Sequence, residues 1–287
     1  MMESEAIDAV EFRGTQRQQW NTAATGWRKW SDLLDRAAGD ISERLVELAG
    51  VEPGSRVLDV AAGYGEPSLT AARKAGPEGS VVATDISAEM LAYGRERAAA
   101  AGLENIEFLE SDAASLEFPE RSFDAGLSRW GIIFEPDGEG AAARVRAFLN
   151  SGARMAISSW GPPERVPFLA IPMQTAMKRL DVPPPPPGTP GPLSRPTPEA
   201  LAGLLEGGGF SDVEVEEATV GFQWSSAEEF TTWIHEIAPP VNAIIDPHPP
   251  EVREETWAAI TEAVREKAAD DGTVTLSNLV LLAAGRA

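Results

Sequence analysis

The stretch Val57 to Leu69, VLDVAAGYGEPSL, constrains the fold of this 287-residue chain more than any other. An apolar run ends in Asp59 and Val60, a turn of small residues follows with glycines at Gly63 and Gly65, and a helix begins after it. The next apolar run, Ser80 to Ala83, is tipped by a second acid, Asp85, about twenty residues beyond Gly65. A strand, a tight turn, a helix and an acid-tipped strand make one half of a nucleoside-binding α/β unit. A loop without bulky Cβ atoms lets backbone N–H groups approach a ligand, and the later carboxylate can accept from both ribose hydroxyls. A dinucleotide fingerprint asks for glycine or alanine where this chain has Ser68, preceded by Pro67, so a nicotinamide dinucleotide fits poorly.

On these residues the chain resembles the class I S-adenosylmethionine (SAM) dependent methyltransferases, in particular the branch around the ubiquinone and menaquinone C-methyltransferases. The family's D-x-G-x-G-x-G motif is matched by Asp59, Ala61, Gly63 and Gly65, with the alanine common in that branch in the first glycine slot. The resemblance covers roughly Asn21 to Trp160 and extends more loosely to the C-terminus. It implies a Rossmann-like, doubly wound α/β fold with a seven-stranded, mostly parallel sheet whose last strand is antiparallel, and it assigns roles residue by residue. Asp85, with Ile86 and Met90 after it, resembles the ribose-binding acid and the helix beneath the adenine. Ser111, Asp112 and Ala113 look like the segment that reads the adenine amino group. In FDAGLSRWGIIF, Phe123 to Phe134, Ser128 and Arg129 would border the methionine end of the cofactor. Trp130 is either one wall of the acceptor pocket or a plain core aromatic. The W-N-x-x-A-x-x-W-x-x-W spacing of Trp20, Trp27 and Trp30 resembles the N-terminal arm that folds over the cofactor, with Trp20 and Trp30 expected at SAM and Trp27 at the substrate.

The rest of the chain reads as a core with caps. Helices are expected over Trp20 to Leu34 and Ile41 to Ala49, inside an N-terminal lid of residues 1–50. The SAM-binding core, 51–160, alternates: helix Pro67 to Ala75, strand Ser80 to Ala83, helix Ala88 to Ala101, strands Ile106 to Leu109 and Ala125 to Ser128, helix Glu139 to Phe148, strand Arg154 to Ser159. Residues 161–196 form a Pro-rich connection, with a helix at Phe168 to Leu180 and then PPPPP at Pro183 to Pro187, a surface loop in polyproline II form or, alternatively, a docking segment for an SH3-like partner. Residues 197–224 and 272–287 complete the core with a helix from Thr197 and strands Val213 to Val220 and Thr273 to Ala284. Between those strands, 225–271 reads as an inserted helical cap with helices Ala227 to Ile237 and Pro250 to Ala269, separated by the proline-interrupted Pro239 to Pro249. A cap there is the natural place for acceptor specificity, which makes Trp233 a third pocket residue beside Trp27 and Trp130.

Charge and composition narrow the partners. With 24 basic against 45 acidic side chains the chain is a poor match for nucleic acid or anionic membranes. Zero cysteines exclude disulfides and thiolate chemistry, and His235 and His248 alone leave few ligands for a metal, so none is expected. Met1 to Glu5 is polar and acidic, and no apolar stretch approaches the length of a membrane span, so a cytoplasmic protein is expected, monomeric or homodimeric. From Asp212 to Asp271, fifteen acids face Arg253, Arg265 and Lys267; this is a solvated face or a field that favours cations.

The expected activity is methyl transfer from SAM, with S-adenosylhomocysteine (SAH) as product, to a small apolar or aromatic acceptor such as a quinol precursor or secondary metabolite. A hydroxyl acceptor calls for a general base, for which His235, His248, Tyr64 or an acid of the caps are candidates, His235 foremost at a catalytic position. Two alternatives remain open: a cyclase-like enzyme that uses SAM without methyl transfer, and an NAD-dependent oxidoreductase.

Overall fold

Val57 and Leu58 are neighbours in sequence, yet they enter different apolar clusters on opposite faces of one sheet, as the two-residue period of a strand requires. Both are fully buried, so β1 (Arg56–Val60) is a central strand. The computed structural model describes residues 8–186 and 188–287; Met1 to Glu5 and Pro187, last of the proline run, lie outside the described residues. β1 pairs in parallel with β2 (Ser80–Asp85) and β4 (Phe123–Arg129), β2 with β3 (Ile106–Glu110), and β4 with β5 (Leu149–Trp160). β7 (Val274–Arg286) runs antiparallel between β5 and β6 (Ser211–Trp224), which gives the order β3-β2-β1-β4-β5-β7-β6. The fold is the Rossmann-like seven-stranded sheet expected, with the last strand alone reversed. Strand order turns back between β1 and β4, and the crevice beyond their carboxyl ends is where open α/β sheets bind ligands.

Around the sheet lie α1 (Ala9–Lys29), α2 (Ser31–Leu48), α3 (Ser68–Ala75), α4 (Ala88–Ala100), α5 (Gly138–Phe148), α6 (Pro167–Leu180) and α7 (Pro198–Gly207). Between β6 and β7 come α8 (Ala227–Ile237), α9 (Pro239–Ile245) and α10 (Pro250–Arg265). Two expectations need correction. The helix read over Trp20 to Leu34 is broken at Trp30, whose backbone leaves the helical region, and its second part fuses with Ile41 to Ala49 into α2. The separator Pro239 to Pro249 contains α9, because prolines at a helix's first positions remove only N–H groups that have no helical partner.

Helix α8 shows how sequence sets this architecture. Ser226 caps it, its Oγ accepting from the Glu229 amide at 3.2 Å, while Glu229 turns back to accept from the Ser225 amide. Phe230, Trp233, Ile234 and Ile237 then fall on one buried stripe. This stripe meets α1 at Gly26, where a Cβ would sit 2.2 Å from the Glu236 carbonyl oxygen, so only glycine permits the crossing. The indole of Trp27 donates to the Ile237 carbonyl at 3.0 Å and that of Trp30 to the Glu236 carboxylate at 2.5 Å, so the N-terminal arm and the segment between β6 and β7 are stitched together. Several acids of the 212–271 stretch sit in exposed ion pairs, Glu216 with Arg44, Glu217 with Arg165 and Glu228 with Arg265, as a solvated face would have them. Among the described residues no helix is long and apolar enough to cross a membrane, and no group of three or more His, Asp or Glu side chains gathers to hold a metal.

Candidate functional site

A cavity of about 190 Å³ opens at the carboxyl ends of β1, β2 and β4, roofed by α1 and α8. Its floor is two loops pressed together. After β1, Ala61 (φ 59°), Gly63 (φ 53°) and Gly65 (φ 108°) take left-handed backbone; after β4, Trp130 does the same at φ 55°. Such conformations in an alanine and a tryptophan are costly and collect at binding sites. The loops touch so closely that a Cβ on Gly131 would lie 2.3 Å from that of Ala61. Ser128 ties them, its Oγ donating to the Val60 carbonyl at 2.8 Å and accepting from the Ile132 amide at 3.0 Å.

One end of the cavity is polar. Asp85, buried at the tip of β2, accepts from the amides of Gly63 and Ser87, each at 2.8 Å, and burial still pushes its carboxyl up to about 6. Ile86 and Met90 line the same end. Asp112 accepts from Ser115 through Oδ2 at 2.9 Å, while its buried Oδ1 has no hydrogen-bond partner among the described residues. Arg13 of α1 donates to Glu135 at 3.1 Å and stands 3.8 Å from Asp112, which holds the arm over this end. Burial raises the Glu135 carboxyl, and Arg13 opposes that rise.

Midway lies Arg129, 7% exposed, donating to Ser42 Oγ at 2.7 Å and to the Tyr64 hydroxyl at 3.1 Å. Both partners are neutral, and Arg129 makes no ion pair among the described residues. The Tyr64 hydroxyl also donates to Asp35 at 3.0 Å, and burial pushes it up to about 12, so it is held protonated. The far end is aromatic. Trp130 stacks on Trp160 at 4.4 Å between ring centres and 5° between planes; Phe168, Phe222 and Trp233 continue the wall.

Of the residues singled out from sequence, Ala61, Gly63, Asp85, Ile86, Met90, Asp112, Ala113, Arg129 and Trp20 line the cavity, as do Trp27, Trp130 and Trp233. Five do not. Asp59 is fully buried beneath the loop, accepting from Ser68 Oγ at 2.5 Å, and burial pushes its carboxyl up to about 7; it shapes the turn from behind. Ser128 likewise acts through backbone. Gly65 is where the loop passes α4, 3.4 Å from the Gly94 Cα to a Cβ built there. Trp30 lies past the end of α1 and is engaged with Lys29 and Glu236. His235 projects about 200° around α8 from Trp233 and rests on Trp257 at 4.5 Å on the outer side, so it has no role at the cavity. Its partner candidate His248 is absent from the lining as well. Sequence reasoning missed Phe12, Arg13 and Gln16. Phe12 and Gln16 continue the α1 stripe of Trp20 and Trp27, a period that was there to be followed. It also missed Phe134, Glu135, Trp160, Phe168 and Phe222, which come from four separate segments.

Comparison with known proteins bears on this site. Residues 57–152 match the methyltransferase domain family. A stretch covering 45% of the chain is 36% identical over 138 residues to the aklanonic acid methyltransferase of Streptomyces sp. strain C5 and spans 63% of that protein. Another, 42% of the chain, is 37% identical over 120 residues to the ubiquinone/menaquinone biosynthesis C-methyltransferase of Teredinibacter turnerae and spans 48% of it. The chain therefore spans less than two thirds of the length of either relative. In fold it is similar to the [4+2]-cyclase SpnF, with 19% identity and a TM-score of 0.54 over 93% of this chain and 95% of that one. Over residues 57–152 the chain is similar to the methyltransferase domain family, and the relatives it matches include a ubiquinone/menaquinone C-methyltransferase.

Proposed function

We propose that the protein transfers the methyl group of SAM to a small, apolar or aromatic acceptor. The observation that carries this reading is one cavity with two unlike ends: acids and glycine-loop amides at one, aromatic rings at the other, a buried arginine between. The residues present fit SAM. Asp112 Oδ1, which accepts no hydrogen bond among the described residues, suits an exocyclic amine, Asp85 suits ribose hydroxyls, and Arg129, a buried cation whose hydrogen-bond partners are both neutral, suits the methionine carboxylate. SAM supplies an electrophilic methyl on a sulfonium; in-line displacement moves that methyl to the acceptor, leaves a neutral thioether, and releases the acceptor's proton. The protein's own contribution is position and dryness: α1 and α8 roof the cavity, and Trp130 with Trp160 fixes a flat wall beside Arg129.

Among the described residues the rings of the aromatic end carry no group able to take a proton, His235 is outside and Tyr64 is held protonated. This favours an acceptor that ionises readily by itself, and it also keeps alive the reading in which SAM is retained without methyl transfer. Isothermal titration with SAM and SAH tests the cofactor: micromolar binding of either supports the reading, and heat from neither sinks it. Appearance of SAH during turnover separates transfer from retention.

A further inference from the structure

The Tyr64 hydroxyl stands between two charges of opposite sign. It accepts from the Arg129 guanidinium at 3.1 Å and donates to Asp35 Oδ1, on α2, at 3.0 Å. A guanidinium can only donate and a carboxylate can only accept, so the single hydroxyl proton points to Asp35 and a lone pair to Arg129. The phenol itself is fixed from its other side. Arg97 of α4 lies over the ring at 4.4 Å, donates to the Tyr64 carbonyl at 3.2 Å and pairs with Asp35 Oδ2. Tyr64 and Arg129 line the cavity, whereas Asp35 and Arg97 stand behind it.

A carboxylate in direct contact would hold Arg129 equally well, but it would also neutralise it. Asp35 reaches the guanidinium only through the hydroxyl, and Glu66, a carboxylate that does line the cavity, is engaged by Thr70 at 2.7 Å and Arg73 at 3.7 Å. Ser42 and Tyr64 take two guanidinium N–H groups, one on each terminal nitrogen, and the others are left for a ligand. The cation is oriented by neutral oxygens while its charge stays available to an anion. We propose that Tyr64 and Asp35 are positioning residues: Asp35 sets the direction of the Tyr64 hydroxyl, and that hydroxyl aims Arg129 at the cofactor carboxylate without cancelling its charge. The proposal rests on the reading of Arg129 as the methionine end of a SAM site.

Decarboxylated SAH keeps the adenine, ribose, thioether and amine and lacks only the carboxylate, which makes it the matched probe. In titration calorimetry the unaltered protein is expected to bind SAH about tenfold more tightly than this analogue. Tyr64→Phe keeps the ring beneath Arg97 and removes the hydroxyl; it should cut that preference at least about threefold and leave affinity for the analogue unchanged. Asp35→Ala should do the same from behind the cavity, while Asp35→Asn, whose amide oxygen still takes the hydroxyl proton, should restore most of the preference. A merely structural role would weaken both ligands by the same factor, and that result overturns the proposal. So does a preference that Tyr64→Phe or Asp35→Ala leaves intact or strengthens, or an Asp35→Asn protein as impaired as Asp35→Ala. If the unaltered protein binds the two ligands equally, the Arg129 assignment falls with the proposal and cofactor binding stands. If it binds neither, the cofactor reading falls and takes the proposal with it.

Discussion

The two ends of the cavity are built by opposite strategies. The polar end comes from short contiguous segments, the glycine loop, the tip of β2 and the residues after β3, and its work is done by backbone amides and two carboxylates. The aromatic end is assembled from β4, β5, α6, β6 and α8, elements spread over about a hundred residues, and its work is done by rings. The first kind of site tolerates little change because its geometry is the turn itself; the second can be repacked while the fold is kept, which is how one scaffold serves many acceptors.

This contrast predicts where substitutions act. Asp85→Ala removes the acceptor for the Gly63 and Ser87 amides as well as for ribose, so SAH affinity should drop by at least about a hundredfold in calorimetry, while binding of small rings at the other end is retained. Gly26→Ala forces a Cβ into the Glu236 carbonyl and should cost about 1–3 kcal/mol, read as a lower Tm. Arg129→Met should weaken SAH by about tenfold and leave adenosine, which lacks the carboxylate, nearly unaffected; equal losses for both would remove Arg129 from the methionine end.

Acidity sharpens the comparison further. In the proposed role Asp85 accepts from ribose hydroxyls as a carboxylate; burial raises it to about 6, so ligand affinity should be flat above that pH and fall about tenfold per unit below it. Asp59 shows a stability effect instead. Burial raises it from 3.8 to about 7, so between those values the folded chain holds a proton that the unfolded chain has lost. Stability therefore falls as pH rises through this window and levels off above it, and Asp59→Asn should flatten the segment between pH 6 and 7, where Asp85 no longer contributes. Thermal melts across pH 5 to 8 read both slopes.

How much was legible follows the same division. The glycine loop, Asp85 and Asp112 could be read because their chemistry is local: a strand end, a turn that excludes Cβ atoms and an acid at a fixed distance along the chain. The sheet, with its reversed last strand, followed from the same rhythm and the resemblance. The aromatic wall was half legible. Trp130 and Trp233 stood out as tryptophans in suggestive places, but Trp160 and Phe222 are ordinary apolar residues of strands until β5 and β6 are brought alongside each other through β7. Trp30 and His235 were misplaced because a spacing pattern carries no information about where a helix ends or which way it is turned. Asp59 illustrates a subtler loss: the motif marks it as important, and it is, but as the buried support to which Ser68 is bonded.

The central claim is that a single cavity binds SAM at its polar end and the acceptor at its aromatic end. A crystal structure with SAH tests it most directly. The account predicts adenine against Ile86 with its amine at Asp112, ribose on Asp85, the carboxylate at Arg129, and the sulfur turned toward Trp130. SAH lying along the aromatic wall, or with its adenine away from Asp112, would contradict it.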